Sequence, residues 1–494
     1  MKFYFAGDCM TYILGIFKWI LQNILLLNIL FAILLVFFER RNPTTTWLWI
    51  MILFFLPGIG FLLYLFIGQD LRKKKIFKIK EEEDRFFKNL AAIQEENIEK
   101  EKLDFNEPRI KEYKDIIQFH LMSTDSVFTQ DNEVKLYFSG KDKFNALLNS
   151  IHRSKKYIHI EYYIIRDDNL GNEIMDALID KAKNGVEVKL LYDGMGSRSL
   201  PRNFFRELIE VGGEVACFFP PFSPILSIRI NYRNHRKICI IDGKEAYVGG
   251  FNIGDEYIGK SERFGYWRDT HCKIKGSAIY GLEWRFLLDW RFAANEEIEN
   301  MENYFIPKCT SGKTGVQIVS SGPDSKWTSI KDGYFKMIIN ARKKVYIQTP
   351  YFIPDDSILE ALRVAGLSGV DVRVIIPSKP DHPFVYWASL SYIGELLQSG
   401  VRFYTYENGF IHSKVVLMDD ILSSVGTANL DIRSFKLNFE VNAFIYDEKV
   451  NNEISEQFIK DLESCKEITI DEYKKRSFAI KVKESISRLL SPIL

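Results

Sequence analysis

One cluster of polar residues occurs twice in this chain, and the duplication limits the possible folds more than any other feature. His235-Arg236-Lys237, Asp242 and Val248-Gly249-Gly250-Phe251-Asn252 return as His412-Ser413-Lys414, Asp419 and Val425-Gly426-Thr427-Ala428-Asn429. The internal spacing is the same in both copies, and two of only seven histidines fall at matching places. The surroundings repeat too. Val134–Gly140 resembles Val316–Gly322, an alternating strand pattern with a helix-like stretch after it, and Lys155–Ile165 matches Lys343–Ile353. That alignment sets Glu161 opposite Thr349. Helical stretches and the apolar strands Val186–Tyr192 and Val370–Ile376 follow. Short apolar strands alternating with helices predict α/β sheets with helices on their faces. Two copies are too few and too long for a solenoid. The expectation is two tandem α/β domains with mixed sheets, over 126–305 and 306–472, related by a pseudo-twofold axis and facing each other around one site.

Residue chemistry narrows what that site does. Residues two apart in a strand point to one face, so His235 projects with Lys237, and His412 with Lys414. The joined halves offer two imidazoles, two ammonium groups and the amides of Asn252 and Asn429 to one cavity, which suits a phosphodiester. Lysine brings point charge to non-bridging oxygens. One imidazole can attack phosphorus while the other protonates the leaving alkoxide, because histidine titrates near neutrality. A lone His-x-Lys reads more readily as a core histidine beside a surface lysine; two copies at equal spacing do not. Each histidine also needs an acceptor for its second ring nitrogen. Asp269 and Glu440 are the downstream candidates, although their separation from the repeated histidine differs between the copies. Asp242 and Asp419 are alternatives, with turn or packing roles slightly favoured for them. No metal cluster or cofactor motif accompanies these residues.

The first 70 residues have another character. Trp19–Phe38 and Trp47–Ile67 are uncharged apolar runs of about the length that crosses a bilayer. The link 39–46 is short enough only for a hairpin turn. Arg72, Lys73, Lys74, Lys75, Lys78 and Lys80 follow the second run, whereas the link holds only Arg40 and Arg41. The positive-inside rule then places both termini and the main body in the cytoplasm. Trp19, Trp47, Trp49 and Tyr64 suit the interfacial belts. Residues 71–125 read as a charged, solvated helical connector, with Phe86, Phe87, Leu90 and Ile93 at helical spacing. The segment 473–494 is amphipathic and basic, and suits either a bilayer surface or packing on the catalytic part. Lys plus Arg is 66 against 65 for Asp plus Glu, so nothing favours a nucleic-acid partner. Six cysteines without CxxC spacing read as reduced thiols.

The paired HxKxxxxDxxxxxxGxxN pattern resembles the two catalytic motifs of the phospholipase D superfamily. Arg41–Trp47, Leu56–Gly60, Gly68–Arg72, Thr349–Pro354, Asn429–Phe435 and Arg488–Leu494 resemble the corresponding parts of bacterial cardiolipin synthases within it. The resemblance implies a metal-independent, two-step exchange through a phosphatidyl-histidine, with His235 the attacking residue. His235, Lys237, Asp242, His412, Lys414 and Asp419 are then the catalytic set. Asn252 and Asn429 hold phosphate, and Asp269 and Glu440 orient the histidines within the substrate-binding set. The expected reaction joins two phosphatidylglycerols into cardiolipin with release of glycerol, at a membrane. Hydrolysis, or transfer to another alcohol, uses the same histidines. A nuclease fits poorly with neutral charge and a membrane anchor, and an inactive adaptor fits poorly with two intact motifs.

Overall fold

The structure, a computed structural model, describes residues 43–56, 58–64, 85–220, 232–296, 298, 301–305 and 310–491, with a few isolated positions before residue 43. Met1–Glu82 with Ser223–Asn231 makes one compact unit, and Glu83–Phe222 with Tyr232–Leu494 makes another.

In the first unit, the described part of the second apolar run is two helices, Pro43–Phe55 and Ile59–Leu63. The sequence predicts one continuous helix there. Gly58 takes φ of 82° between them, a left-handed conformation that glycine adopts freely. The Trp49 and Tyr64 rings meet edge to face at 5.2 Å, so the chain has folded back. A Cβ on Gly60 would lie 2.7 Å from the Ile52 carbonyl oxygen, so this close approach requires glycine. Among the described residues no helix is long and apolar enough to cross a membrane. The run Trp19–Phe38 lies largely outside the described residues, and the basic stretch 72–80 wholly so.

The second unit holds both copies of the repeat. The first contributes β1 (Thr129–Ser139), β2 (Tyr157–Tyr162), β3 (Glu187–Asp193), β4 (Glu214–Phe218), β5 (Arg233–Asn234), β6 (Lys237–Ile241), β7 (Glu245–Gly249) and β8 (Trp267–Lys275). The second contributes β9 (Thr314–Ser321), β10 (Lys344–Gln348), β11 (Phe352–Ile353), β12 (Asp371–Pro377), β13 (Arg402–Tyr406), β14 (Phe410–Ile411), β15 (Val415–Met418), β16 (Leu422–Gly426), β17 (Leu430–Asp431), β18 (Asn438–Tyr446) and β19 (Cys465–Ile468). The first sheet runs β4-β3-β2-β6-β7-β8-β1, parallel from β4 to β2 and antiparallel beyond. The second runs β19-β13-β12-β10-β15-β16-β18-β9, with parallel pairing confined to β13-β12-β10. β1 also pairs antiparallel with β9 and joins the two sheets. All six residues of β2 are buried, as expected of an inner strand covered by helices on both faces.

Each half has its own apolar core. Phe144, Leu147, Ile160, Leu178 and Leu190 anchor the first, and Ile347, Leu362, Val374, Ile393 and Phe444 the second. Some of the helices covering the sheets begin at aspartate caps. Asp168 accepts from the Gly171 N–H before Asn169–Lys183, and Asp447 from the Val450 N–H before Glu448–Leu462.

Two sequence expectations change here. The connector helix, Arg85–Glu99, is not solvated all round: Ala91 and Ile98 are buried in the second core, while Leu90 and Ile93 face outward. Packing on the folded half selects the small Ala91 over Leu90 and Ile93. The repeat alignment also shifts by one residue over β2 and β10. Asp242 N–H donates to the Tyr157 carbonyl and Asp419 N–H to that of Lys344, so Tyr157 matches Lys344. Counting on, Glu161 matches Gln348 rather than Thr349. The paired lysines before each strand had suggested the other alignment.

Candidate active site

Each HxK motif enters its sheet through a two-residue strand that pairs with the opposite half. β5 runs parallel to β18, and β14 runs parallel to β8. His235 N–H donates to the Phe439 carbonyl at 2.9 Å, and His412 N–H to that of Arg268 at 2.7 Å. This exchange sets each imidazole beside an acid from the other copy. His235 Nδ1 lies 3.0 Å from Glu440 Oε2, and His412 Nδ1 lies 2.7 Å from Asp269 Oδ2. Sequence reasoning named both acids but did not show that they cross over.

The two acids differ in length, and the Gly-x-x-Asn turns accommodate the difference. Glu440 takes hydrogen bonds from the Thr427 hydroxyl and from Asn438 Nδ2. Gly250 is the counterpart of Thr427, and a Cβ there would come within 2.0 Å of Asp269 Oδ1. Asp269 takes a 2.7 Å bond from the Thr270 N–H instead.

His235, His412, Asn252 and Asn429 all line one cavity of about 560 Å³, whose walls come from both halves. Asn252 is fixed by the Ile164 N–H and by Tyr257. The Lys237 and Lys414 side chains are buried, and their ammonium groups donate to the carbonyls of His235 and His412 at 2.7 and 2.6 Å. Burial pushes Lys237 down to about 7, with the charge of Lys414 adding to the effect, and pushes Lys414 down to about 8 against the pull of Asp269 and Glu440. Burial, helped by the same lysines, takes His235 down to about 4 and His412 well below its ordinary value. Burial lifts Asp269 to about 6. It would lift Glu440 as well, but His235, Lys237 and Thr427 hold that carboxyl below its usual range. At neutral pH the cavity therefore presents neutral imidazoles. Their Nδ1–H groups are directed to carboxylates, which leaves a lone pair on each Nε2. That is the protonation state of a nucleophile.

Asp242 and Asp419 stand apart from this group, which corrects their place in the expected catalytic set. Asp242 accepts the backbone N–H groups of Lys155, Lys156 and Tyr157, and Asp419 those of Arg342, Lys343 and Lys344. Each sits at the turn after its motif strand with positive φ, a conformation that Asp tolerates better than most residues. They bind the first turn of β2 and β10 to the motif hairpins. The sequence analysis did not single out Tyr163, Arg233 or Arg433, which also line the cavity, nor the buried ion pairs Arg236–Asp289 and Arg268–Asp461 beneath it. The runs Asn252–Tyr257 and Asn429–Ser434 share only the asparagine, and the charge reversal from Glu256 to Arg433 was visible in the sequence.

The family described as cardiolipin synthase, PLD-like domain, matches residues 147–262 and 334–462, and the phospholipase D-nuclease N-terminal family matches residues 26–69. The chain is 50% identical over 476 residues to the major cardiolipin synthase ClsA of Bacillus subtilis (strain 168), covering 96% of this chain and 99% of that protein. It is 48% identical over 482 residues to the cardiolipin synthase of Listeria innocua, covering 97% and 100%. Among solved structures, phosphatidylserine synthase of Haemophilus influenzae Rd KW20 superposes with a TM-score of 0.59 at 16% identity, covering 77% of this chain and all of that one. That likeness concerns the fold.

Proposed function

The chain belongs to the phospholipase D-like cardiolipin synthases, and from that premise we propose how its own residues move a phosphatidyl group from one phosphatidylglycerol to another. The observation that carries the mechanism is the crossed pair of imidazoles, each braced by a carboxylate from the opposite half, in one cavity. His235 Nε2 attacks phosphorus, the N–P bond forms and the bond to the glycerol oxygen breaks. His412 enters the step as an imidazolium, a form that the bound phosphodiester anion and Asp269 favour, gives its Nε2 proton to that oxygen and becomes neutral. In the second step the acceptor's terminal hydroxyl loses a proton to His412, its oxygen bonds phosphorus, and the N–P bond breaks. One role is the reverse of the other, so a single histidine serves both steps. Lys237, Lys414, Asn252 and Asn429 hold the non-bridging oxygens, and Glu440 and Asp269 stabilise the imidazolium forms. Water in place of the second lipid gives hydrolysis by the same residues.

The reading extends to the membrane. Cardiolipin synthases act on lipids, and the apolar runs Trp19–Phe38 and Trp47–Ile67 are assigned as a two-span anchor, with the catalytic domains 126–305 and 306–472 in the cytoplasm. The helix Phe478–Leu489 is assigned to the bilayer surface. It packs on Pro383–Leu397 through its polar side, where Glu484 and Ser487 are buried. Its apolar residues Phe478, Val482, Ile486 and Leu489 face outward instead.

The test is incubation of the purified protein in mixed micelles with labelled phosphatidylglycerol alone. Cardiolipin and free glycerol are expected. Phosphatidic acid as the sole product would replace the transferase with a hydrolase.

A further inference from the structure

The two ends of the cavity are chemically unlike, although the halves that build them are related. Arg233 stands two residues before His235 on β5, and its counterpart on β14 is Phe410. Arg433 stands four residues after Asn429, and its counterpart after Asn252 is Glu256. Both arginines line the same cavity as His235 and His412. They arrive from opposite halves and converge beside one side chain. Tyr163 packs edge-on against His235 with ring centroids 4.8 Å apart, hydrogen-bonds Arg233, and feels the charge of Arg433. The counterpart region near His412 is aromatic: the Trp267 and Phe410 centroids lie 5.3 and 6.2 Å from that imidazole.

Among the acidic groups of the wall, Asp381 accepts from the Tyr351 hydroxyl and Glu256 from Arg166, while Asp431 accepts from the Ser434 N–H and its charge also acts on Arg433. Two guanidinium groups that line one confined space repel: burial, and then Arg233, depress Arg433 below its ordinary value against the opposing pull of Asp431. An anion between them would relieve both. The reacting phosphate already has its own partners in Lys237, Lys414, Asn252 and Asn429.

We propose that Arg233 and Arg433 form a second anion subsite, which takes the phosphate of the acceptor lipid. The inference rests on the transferase reading above. An acceptor phosphatidylglycerol carries its own phosphodiester one glycerol bridge away from the hydroxyl that attacks. A cavity with two phosphate sites fits that acceptor, and a neutral alcohol or water would leave the second site empty. The arginines therefore favour an anionic lipid acceptor over uncharged ones.

The experiment is a competition in one vessel. The full-length enzyme receives labelled phosphatidylglycerol in mixed micelles with ethanol, so the phosphatidyl-enzyme divides between cardiolipin and phosphatidylethanol. Cardiolipin from the wild type tests the transferase reading separately, and its absence would end that reading. Arg433→Gln and Arg233→Gln are each expected to lower the ratio of cardiolipin to phosphatidylethanol about tenfold or more, the loss of one charge-assisted contact to the acceptor. Arg433→Lys and Arg233→Lys keep the charge and should fall between. They also decide the matter if a glutamine variant fails to fold. A ratio that stays at the wild-type value, that rises, or that holds while both products fall in proportion overturns the proposal.

Discussion

His235 takes its carboxylate partner from the other copy of the repeat, and that crossing can be measured as a free energy. In a double-mutant cycle on unfolding, His235→Ala and Glu440→Gln should couple by about 0.5–3 kcal/mol, as contacting residues do. His235→Ala with Asp269→Asn should come close to additive. Coupling in the second pair and none in the first would reverse the assignment. The lysines make a pH prediction. Burial holds Lys237 at about 7 and Lys414 at about 8. A bound phosphodiester anion favours their charged forms, so both values rise on binding. At pH 8 the enzyme should then take up protons as it binds a phosphonate analogue of the donor, and affinity should fall as pH rises through 7 and 8. Calorimetry in two buffers of different ionisation heat reads the uptake directly; zero exchange contradicts the charge state described for the cavity. These residues were legible in the sequence because histidine, lysine and asparagine at repeated spacing carry their chemistry with them. The crossing was not legible. β5 and β14 are two residues long, and strands that short have no periodicity to read.

At the scale of elements, the sequence indicated where strands and helices lie but not always which side they present. The doubled lysines before β2 and β10 concealed a one-residue shift, and such a shift turns every side chain of a strand to the other face. Leu90 and Ile93 of the connector turn outward because the surface the helix meets accepts Ala91 and Ile98. Asp242 illustrates an element-level role for a motif residue. Its carboxylate joins the β6–β7 turn to the start of β2 through three backbone N–H groups. Asp242→Ala should lower stability by roughly 2–4 kcal/mol, because buried donors lose a charged acceptor. Activity per folded molecule should stay within a few-fold of wild type. A wild-type melting temperature with turnover abolished would return Asp242 to the catalytic set. The C-terminal helix gives a second test. Phe478 and Leu489 are each 81% exposed, and burying such side chains in lipid is worth about 1.5–3 kcal/mol apiece. Phe478→Ser with Leu489→Ser should raise the surface concentration of lipid needed for half-maximal rate and spare the rate on soluble short-chain substrate. Unchanged surface kinetics would mean that this face serves another purpose.

Across the whole molecule, the duplicated motif foretold two related α/β halves around a shared site, because each half must bury one side of its sheet and only the other copy offers matching polar residues. The first 70 residues were read as a membrane hairpin from their apolar runs, their charge asymmetry and a family resemblance, and most of them lie outside the described residues. The halves are bound by more than contact. β1 pairs with strands of both sheets, and β5 and β14 are each hydrogen-bonded across the boundary. The catalytic unit should therefore unfold in one cooperative transition, followed by calorimetry or tryptophan emission, with Arg236→Met or Arg268→Met shifting the whole transition. Two resolved transitions would mean the halves are independent. The same cross-pairing has a consequence in time. His235 and Glu440 are 205 residues apart in the chain. A ribosome adding about 5–20 residues per second needs roughly 10–40 s to deliver the second after the first. During that interval His235 lacks the carboxylate that braces it, and His412 is made only late in it. Neither braced imidazole is complete until both copies of the motif have been made, so the first copy by itself holds no finished site.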